Sequence, residues 1–77
     1  MNVVIVEDHS VLLYGLREIL ESKLDISSIN GFCTPIKAKD QTRWSETDLL
    51  IADLEFKNGE CGIDFVKKLR ARYPKLR

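Results

Sequence analysis

The sequence predicts a parallel α/β domain of three strand–helix units, and two features carry that reading. Val3-Val4-Ile5-Val6 and Leu49-Leu50-Ile51-Ala52 are continuous apolar runs of strand length, the pattern of strands buried on both faces of a parallel sheet. Amphipathic stripes at helical spacing follow both runs. The order strand–helix–strand–helix–strand–helix, joined by right-handed crossovers, gives a parallel sheet.

Ser10 is a plausible N-cap for the first helix. Leu12, Leu16, Ile19 and Leu20 fall at i, i+4, i+7 and i+8 and predict its apolar face, with Arg17, Glu18 and Glu21 opposite. Gly15 inside this stripe costs about 1 kcal/mol against Ala, which suggests close packing against a neighbour. Ile26–Phe32 is a weaker strand, interrupted by Ser27, Ser28 and Asn30, and therefore suits a sheet edge. Thr34-Pro35 reads as a helix start, with Pro at the first helical position. A short helix is expected within Ile36–Trp44 despite its poor periodicity. Lys57-Asn58-Gly59-Glu60 reads as a turn. Gly62, Phe65, Val66, Leu69 and Tyr73 mark a last amphipathic helix, stopped near Pro74.

At 77 residues the chain has room for one small domain, which buries a modest fraction of its surface and is marginally stable. Its 12 basic and 12 acidic residues cancel, so net charge favours neither nucleic acid nor membrane. No apolar run approaches the roughly 20 residues of a membrane span. The chain opens directly on a strand, so no signal peptide is expected. Cys33 and Cys61 form no metal-ligand pattern, and the single His9 does not complete one with them. Two free thiols in a reducing cytoplasm are expected.

The chemistry lies at the ends of the two apolar runs. The first ends in Glu7-Asp8 and the second in Asp53. Ligands gather at the carboxyl ends of parallel strands, and neighbouring strands lie about 5 Å apart. If the two runs are neighbours, three carboxylates meet at one sheet edge. Three such charges call for a cation, and a hard oxygen-ligand ion such as Mg²⁺ is the natural one. The bland alternative is a set of strand-end carboxylates facing solvent or capping helices. His9 is either a surface residue of the loop or a group that tunes the pocket. Phe32, Phe56 and Phe65 read as core or pocket-lining residues, and Trp44, near a loop, as partly in the core rather than a binding hot spot. Lys67, Lys68, Arg70, Arg72, Lys75 and Arg77 lie opposite the last apolar stripe and read as a solvated face rather than a nucleic-acid patch. Tyr14 is left undecided between half-buried and exposed.

Glu7-Asp8 after the first strand, Asp53 after the third and Gly62 opening the next helix resemble the receiver (CheY-like) domain of bacterial two-component response regulators. Glu7-Asp8-His9 with Gly15-Leu16-Arg17 and Leu20 further resembles the LuxR/NarL-type subgroup, whose members usually carry a C-terminal helix-turn-helix. The resemblance implies a partial flavodoxin-like sheet in the order 2-1-3, with the first helix on one face and the others opposite. It implies Asp53 as phosphoacceptor for a histidine kinase or phosphotransfer protein. It also implies Mg²⁺ held by Glu7, Asp8, Asp53 and the backbone carbonyl of Glu55. The full-length form would regulate transcription from the cytoplasm. The chain would not be an enzyme beyond Mg²⁺-dependent self-phosphorylation.

The sequence also departs from the family pattern. Residues 1–77 are read as the N-terminal part of a receiver, without a DNA-binding domain. Pro74-Lys75-Leu76-Arg77 stands where a fourth strand should begin. The family's Ser or Thr after strand four and Lys after strand five are therefore expected to be missing, making phosphorylation slow and weakly coupled. Phe56-Lys57 replaces a common Met-Pro, and Ser10 a frequent Pro. A second function follows: an interaction module that forms a homo-oligomer, or pairs with another receiver, through the open edge of Leu49–Asp53. Neither reading involves direct nucleic-acid binding by this chain or a membrane.

Overall fold

The valine-rich run becomes the central strand because it alone can be buried from both sides. A computed structural model describes residues 1–23, 25–53, 56 and 61–77. Along it run β1 (Asn2–Val6), α1 (Ser10–Lys23), β2 (Ser28–Phe32), α2 (Pro35–Gln41), a 3-10 turn at Trp44–Glu46, β3 (Leu49–Ala52) and α3 (Gly62–Arg72). The sheet order is β2-β1-β3, with both pairings parallel. Val3, Val4, Ile5 and Val6 are at most 2% exposed. The weaker second strand takes an edge, as its polar interruptions predict.

Hydrogen bonding continues past the strands at their carboxyl ends. The Glu7 N–H donates to the Phe32 carbonyl at 2.9 Å and the Asp53 N–H to the Val6 carbonyl at 3.1 Å. These two bonds fix the backbone at the first and third strand ends. At the opposite edge Asn2 ties the strand starts together. Its N–H donates to Asp48 Oδ2 at 2.7 Å, its Nδ2 to the Glu46 carbonyl at 2.9 Å, and its Oδ1 accepts from Ser28 Oγ at 2.9 Å.

Alternate residues of β1 serve two layers. Val4 and Val6 join Ala38 of α2, Leu69 of α3, Trp44, Phe56 and Leu76 in the core, with Phe32, Leu50, Ala52, Phe65 and Tyr73 packed around it. Trp44 is buried and meets Phe65 edge to face, with ring centroids 6.1 Å apart and planes at 70°. The other face, carrying Val3 and Ile5, lies under α1. Gly31 is the register partner of Ile5, and the Leu13 side chain lies directly over it. Helix α1 is thus on one face of the sheet, with α2 and α3 on the other.

Helix α2 is real although its periodicity is poor, because its start is well made. Thr34 caps it by accepting from the Lys37 N–H at 3.3 Å, and Pro35 takes the first turn. Such a cap contributes about 1 kcal/mol. In α3 the stripe falls as predicted, with Gly62 and Leu69 buried and Phe65, Val66 and Tyr73 half-buried. The basic residues from Lys67 to Arg77 are all exposed. Cys33 and Cys61 are free and exposed. The turn expected at Lys57-Asn58-Gly59-Glu60 lies outside the described residues.

Four expectations need correction. The carbonyl of His9 accepts from the Leu13 N–H at 2.9 Å, so the α1 cap is His9 and Ser10 is the first helical residue. Within α1, Leu12 and Ile19 are 50% and 56% exposed, while Leu13, Leu16 and Leu20 are half-buried. The inward line is i, i+3, i+7 from Leu13, because a three-stranded sheet covers only part of a wide apolar stripe. Tyr14 is exposed. Gly15 has no heavy atom within 4 Å of where a Cβ would stand, so close packing does not explain it. The edge of β3 is also not wholly bare. The Leu50 N–H donates to the Arg77 carbonyl at 2.8 Å, and the Arg77 N–H to the Asp48 carbonyl at 3.4 Å.

Gly15 of α1 and Gly31 of β2 should respond to alanine with opposite signs. Gly15→Ala meets open space inside a helix and should stabilise the chain by about 0.5–1 kcal/mol. Gly31→Ala sets a Cβ 2.9, 3.1 and 3.3 Å from three Leu13 carbons. Because Cγ of Leu13 is among them, the whole side chain must move, and a loss of about 1–3 kcal/mol is expected. Urea midpoints of the two variants check both signs.

Candidate metal centre at the carboxyl edge of the sheet

Parallel pairing of β1 with β3 aligns Val6 with Ala52, so the next residues of both strands emerge at the same edge. Glu7, Asp8, His9 and Asp53 each offer one ligand atom there, all within 4.8 Å of one another. Trans ligands of Mg²⁺ stand about 4.2 Å apart, twice a 2.0–2.1 Å contact. The cluster therefore has the size of one ion's coordination sphere.

The four residues differ in burial. Glu7 is 5% exposed, the one buried charged residue among those described. Its Oε2 is buried and makes no hydrogen bond among the described residues. His9 Nδ1 approaches it at 3.6 Å, beyond hydrogen-bond reach, and stands 3.1 Å from Asp8 Oδ1. Asp8 and Asp53 are half-buried, and the His9 ring is exposed. A buried carboxylate oxygen without a donor costs stability unless something compensates it. An oxygen-rich donor set with one such atom fits a hard divalent cation. The fourth expected contact, the carbonyl of Glu55, lies outside the described residues.

Sequence reasoning placed Glu7, Asp8 and Asp53 together at this edge and left His9 between two readings. Its ring is exposed, yet Nδ1 belongs to the cluster. The available signal was position alone: His9 directly follows a strand-end carboxylate.

Comparison with known proteins shows the family. The response regulator receiver domain family matches residues 3–77. The chain belongs to that family. It is 28% identical over 74 residues to the oxygen regulatory protein NreC of Staphylococcus carnosus (strain TM300), covering 96% of this chain and 34% of NreC. It thus spans about a third of that relative's length. The MaeR response regulator bound to beryllium trifluoride superposes with a TM-score of 0.85 at 29% identity, over 99% of this chain and 62% of MaeR. A structure of two RcsB dimers bound to two parallel DNAs gives 0.82 at 29% identity, over 99% of this chain and 40% of RcsB. The receiver fold, with strands in the order 2-1-3, is therefore both the predicted and the observed one.

Proposed function

We propose that this chain is the phosphoacceptor unit of a two-component response regulator, receiving a phosphoryl group on Asp53 from a histidine kinase or phosphotransfer protein. The convergence of Glu7, Asp8, His9 and Asp53 within 4.8 Å supports this most strongly. Asp53 follows β3 on a backbone held to Val6 and is half-buried, so its carboxylate belongs to the pocket yet is open to a donor. One Asp53 oxygen attacks phosphorus. An O–P bond forms as the donor's N–P bond breaks, and the departing imidazole takes up a proton. Protein catalysis of such a transfer is mostly positioning and charge neutralisation.

Glu7 and Asp8, with Asp53 and the Glu55 carbonyl, would hold Mg²⁺. When bound, the ion neutralises charge shared by the carboxylates and the incoming phosphoryl oxygens. Buried Glu7 sets the floor of the site, and Asp8 and Asp53 form its half-open rim. The chain is then an acceptor and turns over no external substrate. Likeness to NreC and to DNA-bound RcsB supports a role for residues 1–77 as the input part of a transcription regulator. Cytoplasmic location follows from such partners. No described helix is long and apolar enough to cross a membrane.

Beryllofluoride with Mg²⁺ tests this reading. Calorimetric binding should appear with the native chain and vanish in Asp53→Ala. Equal heats from the two proteins would remove Asp53 from the role of phosphoacceptor.

A second reading, pairing with a copy of itself or another receiver through the β3 edge, has its own support. All four β3 side chains remain only half-buried, and the edge bonds to Arg77 engage Asp48 and Leu50. Sedimentation at micromolar concentration should then show a dimer of the 77-residue chain; a monodisperse monomer would leave phosphoacceptance alone.

A further inference from the structure

We infer that the pocket also accepts a borderline transition-metal dication of the Zn²⁺ class, with His9 Nδ1 as a direct ligand beside Glu7, Asp8 and Asp53. The inference uses the same pocket as the phosphoacceptor reading but none of its phosphate chemistry.

Two independent observations carry it. The first is the place of the imidazole. His9 Nδ1 stands 3.1 Å from Asp8 Oδ1 and 3.6 Å from Glu7 Oε2. Around Zn²⁺, with contacts near 2.0–2.2 Å, tetrahedral ligands lie about 3.4 Å from each other. The two measured separations bracket that value. The widest pair in the cluster, within 4.8 Å, must close by up to about 1.4 Å to reach that separation. The second is Glu7, whose side chain is 7% exposed. Its Oε2 points into the cluster with no hydrogen-bond donor among the described residues.

Ligand chemistry then separates the ions. Mg²⁺ prefers oxygen, keeps several waters and gains little from an imidazole. Zn²⁺ binds imidazole nitrogen readily. For this His9 must be neutral with its proton on Nε2, leaving the Nδ1 lone pair toward the carboxylates. Removing the ring should therefore weaken Zn²⁺ selectively, whereas removing a carboxylate should weaken both ions.

The test is calorimetry with Zn²⁺ alone and Mg²⁺ alone, in a Cys33→Ser/Cys61→Ser background that removes both exposed thiols. His9→Ala should lose tenfold or more in Zn²⁺ affinity and less than twofold in Mg²⁺ affinity. Glu7→Gln should weaken both. His9 is the single histidine of the chain, so its imidazole nitrogen signals are unambiguous. Zn²⁺ should move the Nδ1 resonance and Mg²⁺ should leave it in place. Equal losses for the two ions in His9→Ala, a shift at Nε2 instead of Nδ1, or no Zn²⁺ binding would each overturn the inference. The exposed ring makes unfolding of His9→Ala a poor explanation of any loss, and an unchanged far-UV spectrum would exclude it. Beryllofluoride binding at Asp53 is scored separately. Its failure beside intact His9-dependent Zn²⁺ binding would remove the phosphoacceptor reading alone.

Discussion

Trp44→Ala should leave the 77-residue chain largely unfolded at room temperature, whereas Trp44→Phe should fold. Trp44 is 6% exposed and closes the layer between the sheet and α3, in edge-to-face contact with Phe65. Truncating a buried tryptophan to alanine typically costs 3–5 kcal/mol. A domain of this size has a total stability near the low end of about 5–15 kcal/mol. The loss is therefore comparable with everything available. Phenylalanine keeps an aromatic partner for Phe65 and gives up only part of the volume. It also removes the indole Nε1, a buried donor without a hydrogen-bond partner among the described residues, whose desolvation costs about 1–3 kcal/mol. The two effects oppose each other, and a net change within about 1.5 kcal/mol is expected. Urea titrations followed by circular dichroism distinguish the cases. A cooperative native-like transition for Trp44→Ala would mean that Val4, Val6, Leu69 and Leu76 hold this layer without it.

What could be read from the sequence follows from how strongly each segment is constrained. Val3–Val6 and Leu49–Ala52 were legible as strands because four consecutive apolar residues with β-branched members suit a sheet. Only the first run is buried on both faces, and β3 stays half-buried. The α3 stripe was legible because its polar residues leave a single apolar face. Thr34-Pro35 announced α2 by cap chemistry where periodicity failed. Helix α1 was harder. Leu12, Leu13, Leu16, Ile19 and Leu20 cover more of the helix than the sheet can, and tertiary contact alone selects Leu13, Leu16 and Leu20. Trp44 stood in a polar context, yet its neighbours in space, Phe65 and Leu69, come from a distant helix. The bond from Leu50 to Arg77 joins residues that no local pattern links. At the candidate site the carboxylates were legible because strand ends fix their position. The closeness of His9 Nδ1 to Asp8 depends on a side-chain rotamer, which sequence spacing does not set.

Glu7→Gln should make the ion-free chain more stable and less responsive to Mg²⁺. Glu7, Asp8 and Asp53 bring three carboxylates within 4.8 Å. At an effective dielectric constant near 20, two such charges repel by roughly 3 kcal/mol, less where solvent reaches them. Glu7 carries the largest burden because it is buried, with Oε2 lacking a donor among the described residues. Glutamine keeps the shape and removes the charge. It still leaves an amide to satisfy, so a net gain of about 1–2 kcal/mol is expected rather than the full repulsion. A saturating cation should reverse the ranking. Ion binding stabilises the native chain by RT ln(1 + [L]/Kd), about 2.7 kcal/mol at one hundred times Kd. Glu7→Gln loses a charged ligand, and with it most of that increment. Urea midpoints with and without Mg²⁺ should therefore cross: the variant higher in chelator, the native chain higher in magnesium. If Glu7→Gln is instead less stable in chelator and keeps its full magnesium shift, Glu7 is a structural carboxylate satisfied by the fold, and the ion is held by Asp8 and Asp53 without it. The crossing ties a cost in the empty fold to a gain on binding, as expected of a residue kept for its ligand and not for its packing.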